Sequence, residues 1–226
     1  MILPRPHVSW SQINCWMSNK DRFRREYFEN ADKLDSRYLR FGKGFARIME
    51  MLVEKPELLK NAEWVMDNFG MDIKSSEYQN FAMDLRWYDT PEYEIRCDIN
   101  GVPVLAYLDS YNSRENLFFE FKTGTQPWDR TKVQKHDQLL LYATALKWKT
   151  GKMPAYCDLD WIETKESDIG PVKDFWRDNE KKINITGRIK QFHREFDERE
   201  IERMETLLVK CATEISEAYI KFIEEI

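Results

Sequence analysis

No Cys-x-x-Cys pair occurs in the chain; Cys15, Cys97, Cys157 and Cys211 stand apart. That spacing excludes a zinc ribbon or any locally clustered thiolate site. Scattered single cysteines without a leader-like segment are the pattern of buried, reduced thiols, so a cytoplasmic location is expected. No apolar run approaches the ~20 residues needed to cross a bilayer, and no membrane association is expected. An excess of positive charge is also missing. The net charge of −5 argues against nucleic acid coating the whole surface, but leaves room for a local basic groove. No internal repeat, linker or low-complexity tract divides the chain.

What is present is enough for a substantial core: 226 residues, 42% hydrophobic and 33% charged, with eight Trp, ten Tyr and thirteen Phe. One domain over 1–226 is expected. Its parts are a helical portion over 1–75, a core over 76–165, and a C-terminal strand region with a long helix over 166–226.

Ser9 and Gln12 form a capping-box pattern at the head of a helix carrying Ile13, Trp16 and Met17. A basic-aromatic stretch, Arg22 to Phe28, follows. Phe41, Phe45, Ile48, Met49 and Leu52 are spaced for one buried face of a helix over about 35–52. Gly42 and Gly44 each cost it about 1 kcal/mol relative to Ala, which suggests close packing there. Pro56 opens another helix, about 57–68.

After Ser76 the period changes. Tyr93, Ile95, Cys97 and Ile99 alternate with polar residues, and Asn100-Gly101 supplies a hairpin turn. Strands are expected over 102–109, 117–122, 155–162 and 183–196, with a helix over about 129–149. Asp197 and Glu200 cap a long final helix by capping-box logic. Its apolar stripe includes Ile201, Met204, Leu208, Cys211 and Ile215.

The chemistry concentrates between Val102 and Tyr142. Alternation along 117–122 puts Glu120 and Lys122 on one face with Phe118, and Phe119 and Phe121 on the other. A carboxylate and an ammonium in an otherwise apolar strand require pairing or coordination. Asp109, placed at the end of the preceding strand, reaches the same region. Two carboxylates suit Mg²⁺ or Mn²⁺, with the Phe121 carbonyl as a further ligand. Lys122 would orient or help deprotonate a water, or stabilise developing charge.

The Glu-x-Lys triplet is not distinctive alone. Glu163-Thr164-Lys165 follows Asp158 and Asp160, but reads as running into a charged turn. Glu180-Lys181-Lys182 reads as a solvated loop beside Asp178-Asn179. Only Glu120-Phe121-Lys122 has an Asp-ended strand before it and, after it, a helix with Gln138 and Tyr142 on one face.

Asp109, Glu120-Phe121-Lys122-Thr123-Gly124 and Gln138-Leu139-Leu140-Leu141-Tyr142 together resemble the PD-(D/E)xK nuclease superfamily, in its RecB-like exonuclease branch. Phe41 to Glu50 resembles that branch's Gly-led first motif, and Ser9 to Ile13 its N-terminal helix. The resemblance implies an α/β (α+β) fold with a restriction-endonuclease-like core: a mixed sheet of about five strands flanked by helices. It implies a Mg²⁺- or Mn²⁺-dependent deoxyribonuclease, foremost an exonuclease in recombination, repair or phage DNA metabolism. By position, Asp109 and Glu120 become metal ligands, Lys122 the catalytic lysine and Glu50 an accessory acid. Gln138 and Tyr142 become site-organising or DNA-contacting residues.

Linear duplex or single-stranded DNA is the expected partner. Arg130, Lys132 and Lys135 are candidate phosphate contacts near the site, with Arg22, Arg24 and Arg25 further off. Trp10 or Trp128 is a candidate base-stacking residue. A helicase, a recombinase or a second copy of the chain are possible partners. No iron–sulfur cluster is expected, because Cys157 and Cys211 stand alone.

The chain departs from the branch at Ala46, four residues after Gly42, where many members carry a metal-binding His. Two other readings stay open, the second of them favoured by Ala46. One is a structure-specific or nicking endonuclease on the same fold. The other is a degenerate module that binds DNA or a partner without cutting.

Overall fold

The computed structural model describes residues 1–33, 35–86, 90–171, 176 and 180–226. Helices α1 (Trp10–Ser18), α2 (Lys20–Phe23), α3 (Arg37–Glu54), α4 (Ala62–Phe69) and α5 (Ser76–Asp84) precede the sheet. A π-helical turn (Arg24–Phe28) follows α2, and a 3-10 turn (Pro56–Lys60) follows α3. Strands β1 (Thr90–Ile99), β2 (Val102–Asn112) and β3 (Leu117–Gly124) come next. Helices α6 (Arg130–Gln134) and α7 (Asp137–Thr150) lead to β4 (Tyr156–Ser167), β5 (Lys182–Glu195) and α8 (Glu198–Glu224).

The five strands form one mixed sheet in the order β1-β2-β3-β4-β5. Only β3 and β4 run parallel, because α6 and α7 lie between them in the chain; the other neighbours are antiparallel. Asn100 and Gly101 both adopt positive φ (52° and 81°), the conformation of a tight type I′ hairpin.

Two apolar clusters cover the two faces. Residues of α1, α7 and α8 pack against one, including Leu139, Leu146, Met204 and Ile215 against Phe118 and Trp161. On the other face Phe45, Leu52, Phe69 and Phe81, from α3, α4 and α5, pack with Ile162 and Ile185. The mixed sheet flanked by helices, with a long C-terminal helix, is as expected. The five apolar positions of α3 are all buried, and both capping boxes form. Among the described residues no helix is long and apolar enough to cross a membrane.

Several expected elements differ. The helix expected over 57–68 is a 3-10 turn and a separate α4, restarted by Asn61, whose side chain accepts from Trp64 N–H at 3.1 Å. Helix α5 was unexpected; its signals are the Ser75 cap and the i, i+3 pair Tyr78 and Phe81, both buried. The helix expected over 129–149 breaks at Lys135-His136. There the buried Arg194 guanidinium takes the Val133 and His136 carbonyls at 3.2 and 2.7 Å. Gly42 is not closely packed, since a Cβ there would lie an ordinary 3.8 Å from Thr123 Oγ1.

Gly187 is where backbone approach is tight. Its φ is +86°, and an added Cβ would sit 2.1 Å from the Glu77 carbonyl oxygen. Gly187→Ala is expected to cost about 1–3 kcal/mol in urea unfolding. A change within experimental error would show that α5 is free to shift away from β5.

Candidate active site

Strands β2 and β3 pair only at Ser110–Phe119, Tyr111–Phe118 and Asn112–Leu117, then part. The next opposed positions in that register are Asp109 and Glu120, where the ladder has ended. Asp109 therefore lies three residues inside β2 rather than at its end, as the sequence suggested. Its Oδ2 accepts the Phe121 N–H at 2.6 Å, so a carboxylate bridges the fork where strand hydrogen bonds stop.

Glu120 is buried and points to the face of Phe118, toward α7. Lys122, two residues on, shares that face and donates to Glu120 Oε1 at 2.6 Å. Phe121 faces the opposite way, against Phe45 of α3. On α7 Gln138 donates to the Tyr142 hydroxyl at 2.7 Å. Asp109, Glu120, Phe121, Lys122, Gln138 and Tyr142 line one cleft of about 540 Å³, with Ala46 and Lys43 of α3 on its wall.

The electrostatics follow from this crowding. Burial raises the Glu120 carboxyl to about 8; the Asp109 charge adds to the rise and Lys122 offsets part of it. Burial likewise raises Asp109, against the pull of Lys122 and the Phe121 N–H. Burial opposes the charge on Lys122, but Glu120 and Asp109 outweigh it and hold its pKa above the ordinary lysine value. Burial and the Glu120 charge keep Tyr142 well above the ordinary phenol value, hence neutral.

Glu120 Oε2 is buried and has no hydrogen-bond partner among the described residues. A lone buried carboxylate oxygen beside a second carboxylate is a cation-seeking arrangement. Among the described residues, no three Asp, Glu, His or Cys side chains gather into one metal-holding set. The donor set is thus two carboxylates, with the Phe121 carbonyl as the further candidate. That suits Mg²⁺, which commonly uses one or two carboxylates and fills its remaining positions with water and phosphate oxygens.

The other candidates are placed as follows. Glu50 does not line the cleft; it sits behind it, sharing a small cavity with Asp109 and Phe121. Arg130, Lys132 and Lys135 are exposed on α6 and its C-terminal cap, outside the cleft lining. Lys132 lies over the Trp128 ring, 4.3 Å from its centroid. Trp128 itself is buried, and Trp10 is half-buried. The four cysteines are free thiols.

The second triplet is occupied otherwise. Strand β4 runs on to Ser167, so Glu163-Thr164-Lys165 lies in the sheet rather than at an exposed turn. Glu163 accepts from Thr186 and Arg188. Asp158 pairs with Arg86 and His193, and Asp160 with Arg86. In the third triplet Glu180 pairs with Arg40, and Lys182 opens β5 instead of lying in a loop. Asp178-Asn179 falls outside the described residues.

Sequence reasoning missed Glu92. It lies in β1 at φ 45°, an uncommon conformation for a non-glycine residue. The β1–β2 ladder passes from Pro91–Ser110 to Tyr93–Leu108, skipping Glu92 and Asp109. Burial, then the charges of Asp109 and Glu50, raise Glu92 to about 7. The available signal was Pro91, since proline in a strand marks an edge or an irregularity.

His136, which precedes α7, packs on Trp128 with ring centroids 4.8 Å apart. Burial, then Lys122, Arg194 and Lys132, lower its pKa to about 4, with Asp137 opposing. The unfolded chain takes up this proton first, near pH 6.5. Stability from a neutral His136 is therefore present above that pH and lost as pH falls toward 4. His136→Phe is expected to remove a loss on the order of 2 kcal/mol, discounted for partial exposure, between those limits. Urea unfolding of both proteins across pH 4–7.5 checks it; parallel curves would refute it.

No protein-family model and no curated protein matches the chain. Among solved structures it is similar to a "putative exonuclease" from Eubacterium rectale, at 11% identity and TM-score 0.48, covering 92% of this chain and 82% of that one. It is also similar to a phage-related exonuclease from Haemophilus somnus 129PT, at 13% identity and TM-score 0.46, covering 89% and 79%. Likenesses this distant do not bear on activity.

Proposed function

We propose that the chain is a metal-dependent DNA nuclease, foremost an exonuclease. The observation that carries this reading is the fork of β2 and β3. It sets Asp109 against Glu120, leaves Glu120 Oε2 without a hydrogen-bond partner among the described residues, and seats Lys122 2.6 Å from Glu120 in an open cleft.

Asp109 and Glu120 would hold Mg²⁺ or Mn²⁺, with the Phe121 carbonyl beside them. The ion, when bound, supplies Lewis-acid activation of water and neutralises phosphate charge. Lys122, whose pKa Glu120 and Asp109 hold above the ordinary lysine value, would orient the attacking water and stabilise charge building on the phosphate. Gln138 and Tyr142 hold each other across one turn of α7 and offer neutral polar groups to the substrate. Glu50, behind Asp109, is an accessory acid at one remove.

The test is hydrolysis of end-labelled linear DNA and of closed circular DNA with Mn²⁺. Loss of label from linear DNA alone supports the exonuclease; nicking of the circle supports the endonuclease. Ala46 on the cleft wall favours a second reading, a module that binds DNA without cutting it. Binding with no cleavage in either metal would establish that reading instead.

A further inference from the structure

The fork has a second consequence. β2 has a ladder partner on the β3 side only from Ser110 onward. At the other end of β2 that edge is taken by the N-terminal segment. Val8 bridges Val104, with Val8 N–H donating to the Pro103 carbonyl at 2.8 Å and Leu105 N–H to the Val8 carbonyl at 3.0 Å. Between these two closures, residues 106–109 have no such ladder partner among the described residues. The reaction cleft occupies this gap, and it does not stop at Asp109. A second lobe of about 310 Å³ adjoins it, sharing Tyr107, Gln138 and Tyr142 with the first.

The second lobe differs in lining from the first, which holds Asp109 and Glu120. Trp10 and Tyr107 line it, with His7, Ser9 and Ser11 supplying polar edges. Among the described residues no carboxylate lines it, but Glu94, which is paired with Arg96, accepts from the Tyr107 hydroxyl at 2.6 Å beside it. The clefts bounded by Glu77, Asp84 and Glu163, and by Glu202 and Glu205, do carry carboxylates, beside Lys165 and Arg188 in the first and Lys210 in the second. An aromatic lobe with no carboxylate in its lining, continuous with a phosphodiester site, suits a nucleobase and its phosphate. The wall is fixed by the Val8 backbone bonds and by the Ser9–Gln12 capping box.

We propose that this lobe binds an unpaired nucleotide of the substrate strand a few positions from the bond being cut, its base stacked on Trp10. The inference rests on the nuclease reading and deepens it by naming a single-stranded substrate end. The reach is adequate. Asp109 to Leu105 spans about 13 Å of strand, and a stacked strand advances about 3.4 Å per nucleotide, so the lobe lies within four nucleotides of the site.

The experiment compares two Mn²⁺-dependent reactions. One is hydrolysis of bis(p-nitrophenyl) phosphate, which has no base. The other is hydrolysis of a single-stranded twelve-residue oligothymidylate. Trp10→Ala is expected to raise KM for the oligonucleotide about 5- to 150-fold, the range of one base–aromatic stack, and to leave the aryl diester rate unchanged. Trp10→Phe should retain most of the affinity. Ser11→Glu guards against misfolding, because an acid in the first turn favours helix α1 while repelling phosphate; it too should raise the oligonucleotide KM alone.

If wild type cuts both substrates and all three variants match it, the lobe does not bind the strand, and the nuclease reading stands. A KM rise equally large for blunt duplex would overturn the single-stranded assignment. If wild type cuts neither substrate, the nuclease reading fails and takes this inference with it.

Discussion

Lys122→Ala is expected to lower kcat for DNA hydrolysis by about 10²–10³-fold, with KM changed far less. That is the usual cost of removing one preorganised charge that acts on the transition state. Lys122 is 2.6 Å from Glu120 and stays protonated against the cost of burial. Its removal also leaves Glu120 without its only cationic partner among the described residues. Thermal melting should therefore accompany the kinetics. Arg at this position keeps the charge but not the compact geometry, and partial recovery is expected. A fall of only a few-fold in a folded Lys122→Ala protein would reduce Lys122 to a structural counter-ion.

Arg194→Met is expected to cost about 3–5 kcal/mol of stability, the range for removing one member of a buried charged network. Arg194 is fully buried, donates to the carbonyls of Val133 and His136 and to Glu200 Oε1, and lies over the Phe196 ring. It closes the break between α6 and α7 and ties that break to β5 and α8. The helix it anchors carries Gln138 and Tyr142, so activity should fall with stability. Urea unfolding measures the first effect. A loss below about 1 kcal/mol would mean that water replaces the guanidinium at both carbonyls.

The sequence made some of this legible and hid the rest for definable reasons. Alternation along 117–122 placed Glu120 and Lys122 together because side-chain period is a local property of a strand. Both capping boxes were legible because they close within four residues. The fork between β2 and β3 was not, because it depends on where a non-local ladder ends; Asp109 therefore read as a strand end. Arg194 and the α6–α7 break were hidden for the same reason, since the partner carbonyls lie 58 and 61 residues away. Glu92 was hidden by a backbone conformation that its residue type does not announce. Arg130, Lys132 and Lys135 were proposed from nearness in sequence, and α6 carries them outside the cleft lining. Lys43, on the cleft wall, lay inside a motif already singled out but had been given no role.

On the proposed function, Asp109 and Glu120 form one cation-binding pair at the strand fork. Crystals soaked in Mn²⁺ test it most directly through the anomalous signal of the ion. One dominant peak is expected, bonded to carboxylate oxygens of both residues with Glu120 Oε2 among them, and it should disappear in Glu120→Gln. A dominant peak at Asp158 and Asp160, or a peak at the fork that survives Glu120→Gln unchanged, would contradict it.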